Sequence, residues 1–473
     1  MPILERQNFY SVWTPLLFFF FLRLFTAPFF GLGVDEAHYL LYALHPALSY
    51  FDHPPLVGWL HMPLVYTIGA SELTARIPPI LLGAGTTFFA YNLVFELTDN
   101  QKASFWAAVG LNSSFIFGAL FLMLLPDTIL LFLLFLLINT FIRLLKTPSL
   151  KNYLLFGLIL GLCGLSKYTA ITFIFAILAY LIQTKNRALF MSKYTVMSVI
   201  TAAITILPVM IWNFQNHFAS FTYQGSHVAG GDSFSILTLG KNLLIEFVAY
   251  SPPLFIIAIY GFLKVFKNKK ELPQILFWFG LFIVLFFMFT ALKKPALPHW
   301  ISPFFVLFIP VGIGFLYNEE KYKIIIYSVI FSLILTILIH LELVFKLGYF
   351  ADLKSPFRDI YGWKESAKIA KNIKPIDSDI GVLNWSEGSR VSFYANEPIF
   401  VADTRYDQFD IWYDKNPIGR NYLFIETKSS KQKIADKCNC SELLKVGSYD
   451  AKINNRTVEG FNYILCKDFK GLK

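Results

Sequence analysis

The sequence predicts a polytopic α-helical membrane protein of about eleven transmembrane helices, followed by a small α/β domain. Of its 473 residues, 56% are hydrophobic and only 15% are charged, whereas an average soluble domain has ~25% charged residues. The charge is uneven, with 35 charged residues in 1–348 and 37 in 349–473. This excludes a soluble single-core protein. It predicts a membrane domain at 1–348, with a juxtamembrane outer loop at 31–73, and a soluble domain at 349–473.

The transmembrane helices follow from the apolar runs, because a bilayer core needs ~20 apolar residues per helix. The first run is too long for the apolar region of a signal peptide and predicts a transmembrane helix. The segment 56–70 predicts a helix along the membrane interface. Eleven runs predict spans: 12–30, 74–97, 104–124, 128–145, 152–166, 168–184, 194–213, 242–263, 272–291, 299–317 and 323–345.

Basic residues predict the orientation of these spans. With the N-terminus in the cytoplasm, fourteen Lys and Arg residues fall on inner segments before residue 346 and only five on outer segments. This bias predicts a cytoplasmic N-terminus and an extracytoplasmic soluble domain. The soluble domain carries 20 basic and 17 acidic residues, so no nucleic-acid partner is expected. The five outer cations are Arg76, Lys167, Lys241, Lys293 and Lys294.

The first outer loop concentrates acids and histidines. Asp35 and Glu36 directly follow the first span, Asp52 and His53 come later, and residues 31–75 contain no Lys or Arg to neutralise the acids. Such a set can bind a divalent cation or hold a general base. A purely structural alternative is a helix N-cap at Asp35 and a proline turn at Asp52.

Asp127 interrupts an apolar stretch that is too long for one span. It follows Pro126, so it is either the N-cap of the next helix or part of the same outer site as Asp35. Lys167 and the pair Lys293 and Lys294 stand in otherwise uncharged surroundings, which favours a phosphate or pyrophosphate partner. Arg76 and Lys241 are equally explained as side chains that reach for lipid headgroups.

Two further segments bear on the outer face. The polar loop 214–241, which contains His227, suits a flexible loop over a substrate, although a solvated connection would have the same composition. Cys438, Cys440 and Cys466 lie near the C-terminal end. A disulfide from Cys466 to one of the other two is expected if this domain lies outside the cytoplasm.

Several motifs together resemble a known family. They are Asp35-Glu36-Ala37-His38-Tyr39, Tyr50-Phe51-Asp52-His53-Pro54-Pro55-Leu56, Arg76-Ile77-Pro78 and Leu125-Pro126-Asp127, with looser matches at Gly164-Leu165-Ser166-Lys167-Tyr168 and Pro298-His299-Trp300. The sequence resembles the type-C (GT-C) glycosyltransferases, and more closely the bacterial members akin to protein O-mannosyltransferases and the lipid A aminoarabinose transferase. The resemblance covers the membrane part and is most specific over residues 33–130.

The resemblance implies a multi-pass enzyme of the bacterial inner membrane. It would move a sugar, with inversion, from a polyprenyl-phosphate donor to a lipid A, glycan or protein acceptor at the outer face. Asp35 takes the position of the catalytic base, with Glu36 as the second choice. Asp52 takes an acid position in a site-shaping motif, where His53 replaces the usual Lys.

The other site residues follow from position and chemistry. Asp127 is expected to share the catalytic site. The only cofactor that the resemblance implies is a divalent metal ion. His227 is the nearest match by position to a loop histidine that helps to hold a metal in the aminoarabinose transferase. Donor-phosphate contacts are expected from Lys167, Lys293, Lys294 and Arg76, and site-shaping or metal contacts from Asp52, His53, His227 and His299.

Two other functions compete with a transferase. A lipid-linked sugar transporter or flippase would place its polar residues near the membrane midplane and show related halves, whereas the acids here cluster on one side and no internal repeat is evident. A scaffold protein would not need a first loop rich in carboxylates. The sugar and the acceptor are not specified by the sequence.

Overall fold

The computed structural model describes residues 9–230, 234–349, 356–413 and 415–473. It divides into two compact units. Unit 1 consists of Met1–Phe25, Ala47–Val57 and Arg76–Leu338, and unit 2 consists of Thr26–Pro46, Gly58–Ala75 and Ile339–Lys473. Unit 2 therefore contains two segments of the first loop region together with the C-terminal domain.

Unit 1 is helical in its described residues. Its α-helices are α1 (Trp13–Thr26), α4 (Glu72–Thr98), α5 (Gln101–Ser113), α6 (Phe115–Leu120), α7 (Pro126–Lys146), α8 (Leu150–Ser166), α9 (Ile171–Gln183), α10 (Lys193–Gln215), α11 (Ala219–Ala229), α12 (Ile236–Ala249), α13 (Pro252–Lys267), α14 (Glu271–Lys293), α15 (Ser302–Asn318) and α16 (Tyr322–Phe345). The first residues of α4 and the last of α1 and α16 fall in unit 2.

Every predicted apolar run contains a helix, but the runs differ in length and shape. Among the described residues, six helices are long and apolar enough to cross a membrane: α4, α7, α10, α14, α15 extended to Pro298, and α16. Shorter apolar helices cover the runs at 12–30, 152–166 and 168–184, and the predicted interface segment 56–70 contains α3 (Leu56–Ile68). The fold is thus a multi-pass helical one, as predicted.

The run 242–263 is not the single straight span expected from its apolarity. It contains most of α12 and α13, which are bent by 107° at a short break. The break has a local cause, because Pro252 and Pro253 open α13 and cannot donate to the turn before them. Ser251 takes up the direction change with φ of 65°.

Close helix packing in unit 1 depends on small residues. A Cβ at Gly157 of α8 would stand 2.2 Å from the carbonyl oxygen of Ser198 in α10. A Cβ at Gly161 would stand 2.5 Å from the Cβ of Thr205. Backbone contact of this kind lets membrane helices gain dispersion energy where lipid offers no hydrophobic driving force.

Unit 2 contains the predicted α/β domain. Its elements are α2 (Val34–Leu44), most of α3, α17 (Trp363–Ile373), β1 (Ser378–Val382), α18 (Trp385–Ala395), β2 (Ile399–Val401), α19 (Gln408–Trp412), β3 (Asn421–Thr427), α20 (Ile434–Lys437), β4 (Cys438–Ile453) and β5 (Arg456–Leu472). The five strands form one sheet in the order β2-β1-β3-β5-β4. β1 runs parallel to β2 and β3, and β5 runs antiparallel to β3 and β4.

A disulfide joins the two long strands of this sheet. Cys440 in β4 is bonded to Cys466 in β5, with their Cα atoms 5.6 Å apart. Cys438 is buried and has a free thiol. Of the two pairings that the sequence left open for Cys466, the structure contains the one with Cys440. Such a bond is typical of a domain outside the reducing cytoplasm.

Candidate active site

Three ionisable side chains from distant parts of the sequence meet in unit 1. Lys167 Nζ donates to Asp127 Oδ1 at 2.7 Å, and His299 Nε2 lies 3.9 Å from Asp127 Oδ2. The side chains of Asp127 and Lys167 are only 3% and 9% exposed. Asp127 also interacts electrostatically with His53. A buried ion pair flanked by imidazoles is costly to build, and such groups in membrane proteins are usually functional.

The ends of two helices create this pair. Leu125 is the N-cap of α7, Pro126 is its first residue, and Asp127 lies in its first turn. The interpretation of Asp127 as an N-cap is therefore wrong. Lys167 is the residue that ends α8 in an extended conformation. The hydroxyl of Ser166 donates to the carbonyl oxygen of Pro126 at 2.9 Å, which holds the two helix ends together.

The loop that carries His299 is fixed by two polar side chains that the sequence reasoning missed. Asn242 in α12 donates to the carbonyl oxygens of Ala291 and Lys294, both at 2.9 Å, and accepts from Ala296 N. The hydroxyl of Tyr250 donates to Pro298 O at 2.9 Å. The sequence offered only a weak signal, because Asn242 is the first residue of the predicted span 242–263, where a polar side chain is ordinary.

The segment around Asp52 packs against α11. The side chain of Gln224 donates to the backbone carbonyl of Asp52, and the ring of Phe51 lies 4.8 Å from that of Tyr223. The hydroxyls of Tyr168 and Ser220 lie 2.8 Å apart. The segment 214–241, predicted as a flexible loop or a solvated connection, contains the helix α11 at Ala219–Ala229 and the start of α12 at Ile236. His227 belongs to this helix, but its side chain lies outside the described residues.

The remaining predicted phosphate ligands, Lys293, Lys294 and Arg76, differ in environment. Lys293 ends α14, and its ammonium lies 4.9 Å from the ring centre of Phe289 and 5.4 Å from that of Phe234. Lys294 is half-buried, and burial lowers the pKa of its ammonium. Arg76 in α4 is fully buried. A buried Arg76 does not fit the interpretation that this side chain reaches for headgroups at the surface.

In unit 2, the two neighbouring acids of the first loop have different environments. Both lie in the first turn of α2, whose N-cap is Gly33, so the N-cap interpretation of Asp35 is wrong. Glu36 is fully buried and accepts a hydrogen bond from Gly33 N at 3.1 Å. Asp35 is partly exposed. Glu36 thus closes the start of the helix, while Asp35 is less deeply buried.

Helix α2 packs against α18 of the C-terminal sheet domain. His38 Nδ1 lies 3.0 Å from Ser389 Oγ, and the His38 ring lies 5.3 Å from the ring of Trp385. Leu32 N, at the entry to α2, donates to the hydroxyl of Tyr394 at 2.8 Å. The helix that carries Asp35 is therefore fixed to the domain that follows the last span in the sequence.

A metal centre is not evident in the described part of the chain. No group of three or more His, Cys, Asp or Glu side chains in the described residues is arranged to hold a metal ion. Asp52, His53 and His299 belong to this part, whereas the His227 side chain does not. The residues described do not fit a metal ion.

The chain is similar in sequence to a family of glycosyltransferases and to two curated members of that kind. The profile of the dolichyl-phosphate-mannose-protein mannosyltransferase family matches residues 52–212. The chain is 28% identical over 227 residues to the lipopolysaccharide core galacturonosyltransferase RgtA of Rhizobium johnstonii, covering 46% of this chain and 44% of RgtA. It is 23% identical over 282 residues to the lipid A galacturonosyltransferase RgtD of the same organism, covering 56% and 57%. The matches thus span about half the length of these relatives.

Solved structures extend the likeness to nearly the whole chain. ArnT from Cupriavidus metallidurans bound to undecaprenyl phosphate superposes with a TM-score of 0.65 at 12% identity, over 95% of this chain and 97% of ArnT. Its apo form gives a TM-score of 0.62 at 12% identity, over 94% and 96%. The fold is that of the GT-C class of membrane glycosyltransferases. The fold is ArnT-like, which confirms the resemblance seen in the sequence motifs at the level of the fold.

Proposed function

We propose that this protein is a glycosyltransferase that moves a sugar from a polyprenyl-phosphate donor to lipid A or the lipopolysaccharide core. The observation that carries the proposal is the fold shared along 95% of the chain with an ArnT structure that holds undecaprenyl phosphate. The acceptor class is supported by RgtA and RgtD, whose names give lipopolysaccharide core and lipid A as their acceptors. A protein acceptor, suggested by the name of the matching family, is an outcome that the assay below distinguishes.

The cluster of Asp127, Lys167 and His299 in unit 1 supports binding of the donor phosphate. During transfer the sugar–phosphate bond breaks and the departing lipid phosphate gains negative charge. A buried cation held ready for that charge lowers the barrier, because it needs no reorganisation at the moment of reaction. Lys167 meets this description, since the carboxylate of Asp127 holds its ammonium at 2.7 Å. Lys293, Lys294 and Arg76 are proposed as additional contacts to the donor phosphate.

Asp35 is proposed as the general base. The acceptor hydroxyl must lose a proton as its oxygen attacks the anomeric carbon from the side opposite the phosphate, which inverts that carbon. Asp35 is partly exposed, whereas Glu36 is fully buried and accepts from Gly33 N. The environment thus favours Asp35 over Glu36, because a base must reach the proton that it removes.

A lipid-linked sugar transporter is the second candidate function. It would bind the same donor through the same cations, so the charge cluster alone does not separate the two functions. A carboxylic acid at position 35, in a residue that is partly exposed, favours a transferase, since a transporter breaks no bond and needs no base.

The proposal places the protein in the bacterial inner membrane, with its N-terminus in the cytoplasm and its C-terminal domain outside. The asymmetry of basic residues and the Cys440–Cys466 disulfide support this orientation. Single cysteines at exposed Lys269 and Lys445, in protein whose free cysteines are replaced, should label from opposite sides of intact cells, Lys445 from outside. Outside labelling at both positions would contradict the orientation.

Mass spectrometry of the acceptor tests the function. Purified protein in nanodiscs is incubated with an undecaprenyl-phosphate sugar and, in separate reactions, lipid A, complete lipopolysaccharide or a Ser/Thr-rich protein. The proposal predicts the added mass of one sugar on lipid A or lipopolysaccharide, and none with Asp35→Asn. Added mass on the protein alone would refute the acceptor class, and none on any acceptor would refute the transferase.

A further inference from the structure

A polar cavity of about 530 Å³ lies in the C-terminal sheet domain, outside the site described above. It is lined by Asn384, just after β1, and by Thr427, the last residue of β3. β1 lies between β2 and β3 in the sheet, and both pair with it in parallel. The connection from β1 leads to β2 on one side of it, whereas the connection from β3 leads to β4 on the other side. In open α/β sheets, ligands bind at the carboxyl ends of the strands where the order reverses in this way.

One wall of the cavity is a fixed arginine. Arg390 is 4% exposed, and its guanidinium stacks on the ring of Trp363 at 3.6 Å. Its Nη1 donates to the side chain of Asp359 at 3.1 Å. Nη2 has no hydrogen-bond partner in the part of the chain that the structure describes. The wall is therefore rigid and retains a hydrogen-bond donor that a ligand can use.

A second paired arginine, Arg358, also lines the cavity. Arg358 donates through Nε to Glu459 at 3.1 Å and also contacts Ser429. The backbone oxygen of Arg358 accepts from the indole nitrogen of Trp363 at 3.1 Å. Each arginine that lines the cavity has a carboxylate partner, and with Glu387 the lining carboxylates outnumber the arginines by three to two, which disfavours a phosphate group.

The remaining lining is suited to hydroxyl groups. Glu387 adds a third carboxylate, and burial raises the pKa of this group. Thr427, Ser429 and Ser430 contribute hydroxyls, and Asn384 contributes an amide. The volume lies within the ~300–1,000 Å³ typical of small-molecule sites. Many neutral donors and acceptors around a cavity of this size match a saccharide better than an anion or an apolar ligand.

We propose that this cavity is a saccharide-binding site that holds one or two sugar residues of the acceptor glycan. The saccharide class follows from the cavity itself. Its assignment to the acceptor, rather than to the sugar of the donor, rests on the proposed transferase function. The site would select acceptors by their glycan while the lipid part remains in the membrane.

Ligand-observed NMR on the full-length protein in nanodiscs tests the site. The probes are a lipid-free, dephosphorylated core oligosaccharide, a methyl glycoside of the donor sugar, and inorganic phosphate. Ser430→Trp fills the cavity from a partly exposed position. Ser441→Trp is the matched control, because Ser441 is exposed on β4 and does not line the cavity. Thr427→Val removes one lining hydroxyl without changing the side-chain size.

The oligosaccharide is expected to bind wild-type protein and the Ser441→Trp control equally. Ser430→Trp is expected to weaken binding by about tenfold or more, equivalent to ~1.4 kcal/mol or more. Thr427→Val is expected to weaken it by about two- to tenfold, the worth of one hydrogen bond. Wild-type protein that binds neither sugar probe, or Ser430→Trp that binds like wild type, would overturn the site.

Two outcomes concern the class of ligand and its source. Phosphate binding that Ser430→Trp removes, without sugar binding, would overturn the saccharide class. Equal affinity for the methyl glycoside and the oligosaccharide would overturn the acceptor assignment. Sugar transfer to complete lipopolysaccharide is measured in parallel. A protein that transfers but binds no free glycan refutes the site alone, and one that binds glycan but does not transfer refutes the proposed function alone.

Discussion

Replacing Lys167 by Met should be among the most damaging single substitutions in unit 1. The change keeps side-chain length but leaves Asp127, whose side chain is 3% exposed, without its cation at 2.7 Å. Removing one partner of a buried ion pair typically costs ~3–5 kcal/mol, because the other charge remains buried without compensation. Asp127→Asn should have a cost of the same order, since it leaves the ammonium of Lys167 buried.

The double variant separates the ion pair from other contacts of the two residues. Asp127→Asn with Lys167→Met removes both charges, so its loss of unfolding free energy should be smaller than the sum of the single losses by ~0.5–3 kcal/mol. Denaturant titration in mixed micelles measures each value. Lys241→Met is the control, because Lys241 is exposed and should change stability by no more than ~0.5 kcal/mol.

Donor binding then tests the role of the cation itself. A folded double variant should bind the undecaprenyl-phosphate sugar more weakly than wild type by ~1.5–3 kcal/mol, the worth of a hydrogen bond to a charged group. A Lys167→Met protein as stable as the Lys241→Met control would refute the buried ion pair. Wild-type donor affinity in the double variant would refute phosphate binding by Lys167 and leave only a structural role.

Three further predictions concern unit 2. Asp35→Asn should slow transfer by ~10²–10⁴-fold with donor affinity unchanged. Glu36→Gln can still accept from Gly33 N and should retain most activity. Equal losses of transfer rate in the two variants, measured in steady-state assays, would contradict the assignment of Asp35 as the base. Cys466→Ala removes a disulfide between cysteines 26 residues apart. The free energy of unfolding should fall by about 3.5 kcal/mol in the chain-entropy relation, and a melting temperature equal to that of wild type would contradict this prediction. Burial raises the pKa of Asp407 to about 6. The folded state therefore binds the proton more tightly, so stability should fall as pH rises from about 4 to about 6, and urea titrations that show the same fall in Asp407→Asn would rule out this residue as the cause.

Local sequence patterns predicted the helices and the sheet domain, and they singled out the candidate site residues. Apolar runs identified the helices because helix burial in a bilayer depends on composition over a local window. In the C-terminal domain, strand-like runs at 380–384, 422–426 and 461–466 and a helical run at 387–395 predict an α/β fold, and the structure has β1, β3, β5 and α18 at these places. Lys167 and Asp127 were singled out because each is an isolated charge in apolar sequence.

The contacts between distant residues could not be predicted in the same way. The pairing of Asp127 with Lys167 depends on how α7 and α8 meet, and nothing within either segment specifies it. The same holds for the cavity between Asn384 and Thr427, which exists only because β1 and β3 are neighbours in the sheet. Helix α11 was missed because its Gly, Ser and aromatic residues have low helix propensity, which the contacts of Tyr223 and Gln224 with residues 51–52 offset.

A double-label experiment tests the central claim most directly. Purified protein in liposomes receives a donor labelled with tritium in the sugar and with carbon-14 in the polyprenyl chain, with lipopolysaccharide in the same membrane. Catalysis by a transferase predicts that the tritium moves to the lipopolysaccharide while the carbon-14 appears as free polyprenyl phosphate, in equal molar amounts, and that Asp35→Asn stops both. Movement of both labels together across the bilayer, with the donor still intact, would contradict the account and identify a transporter.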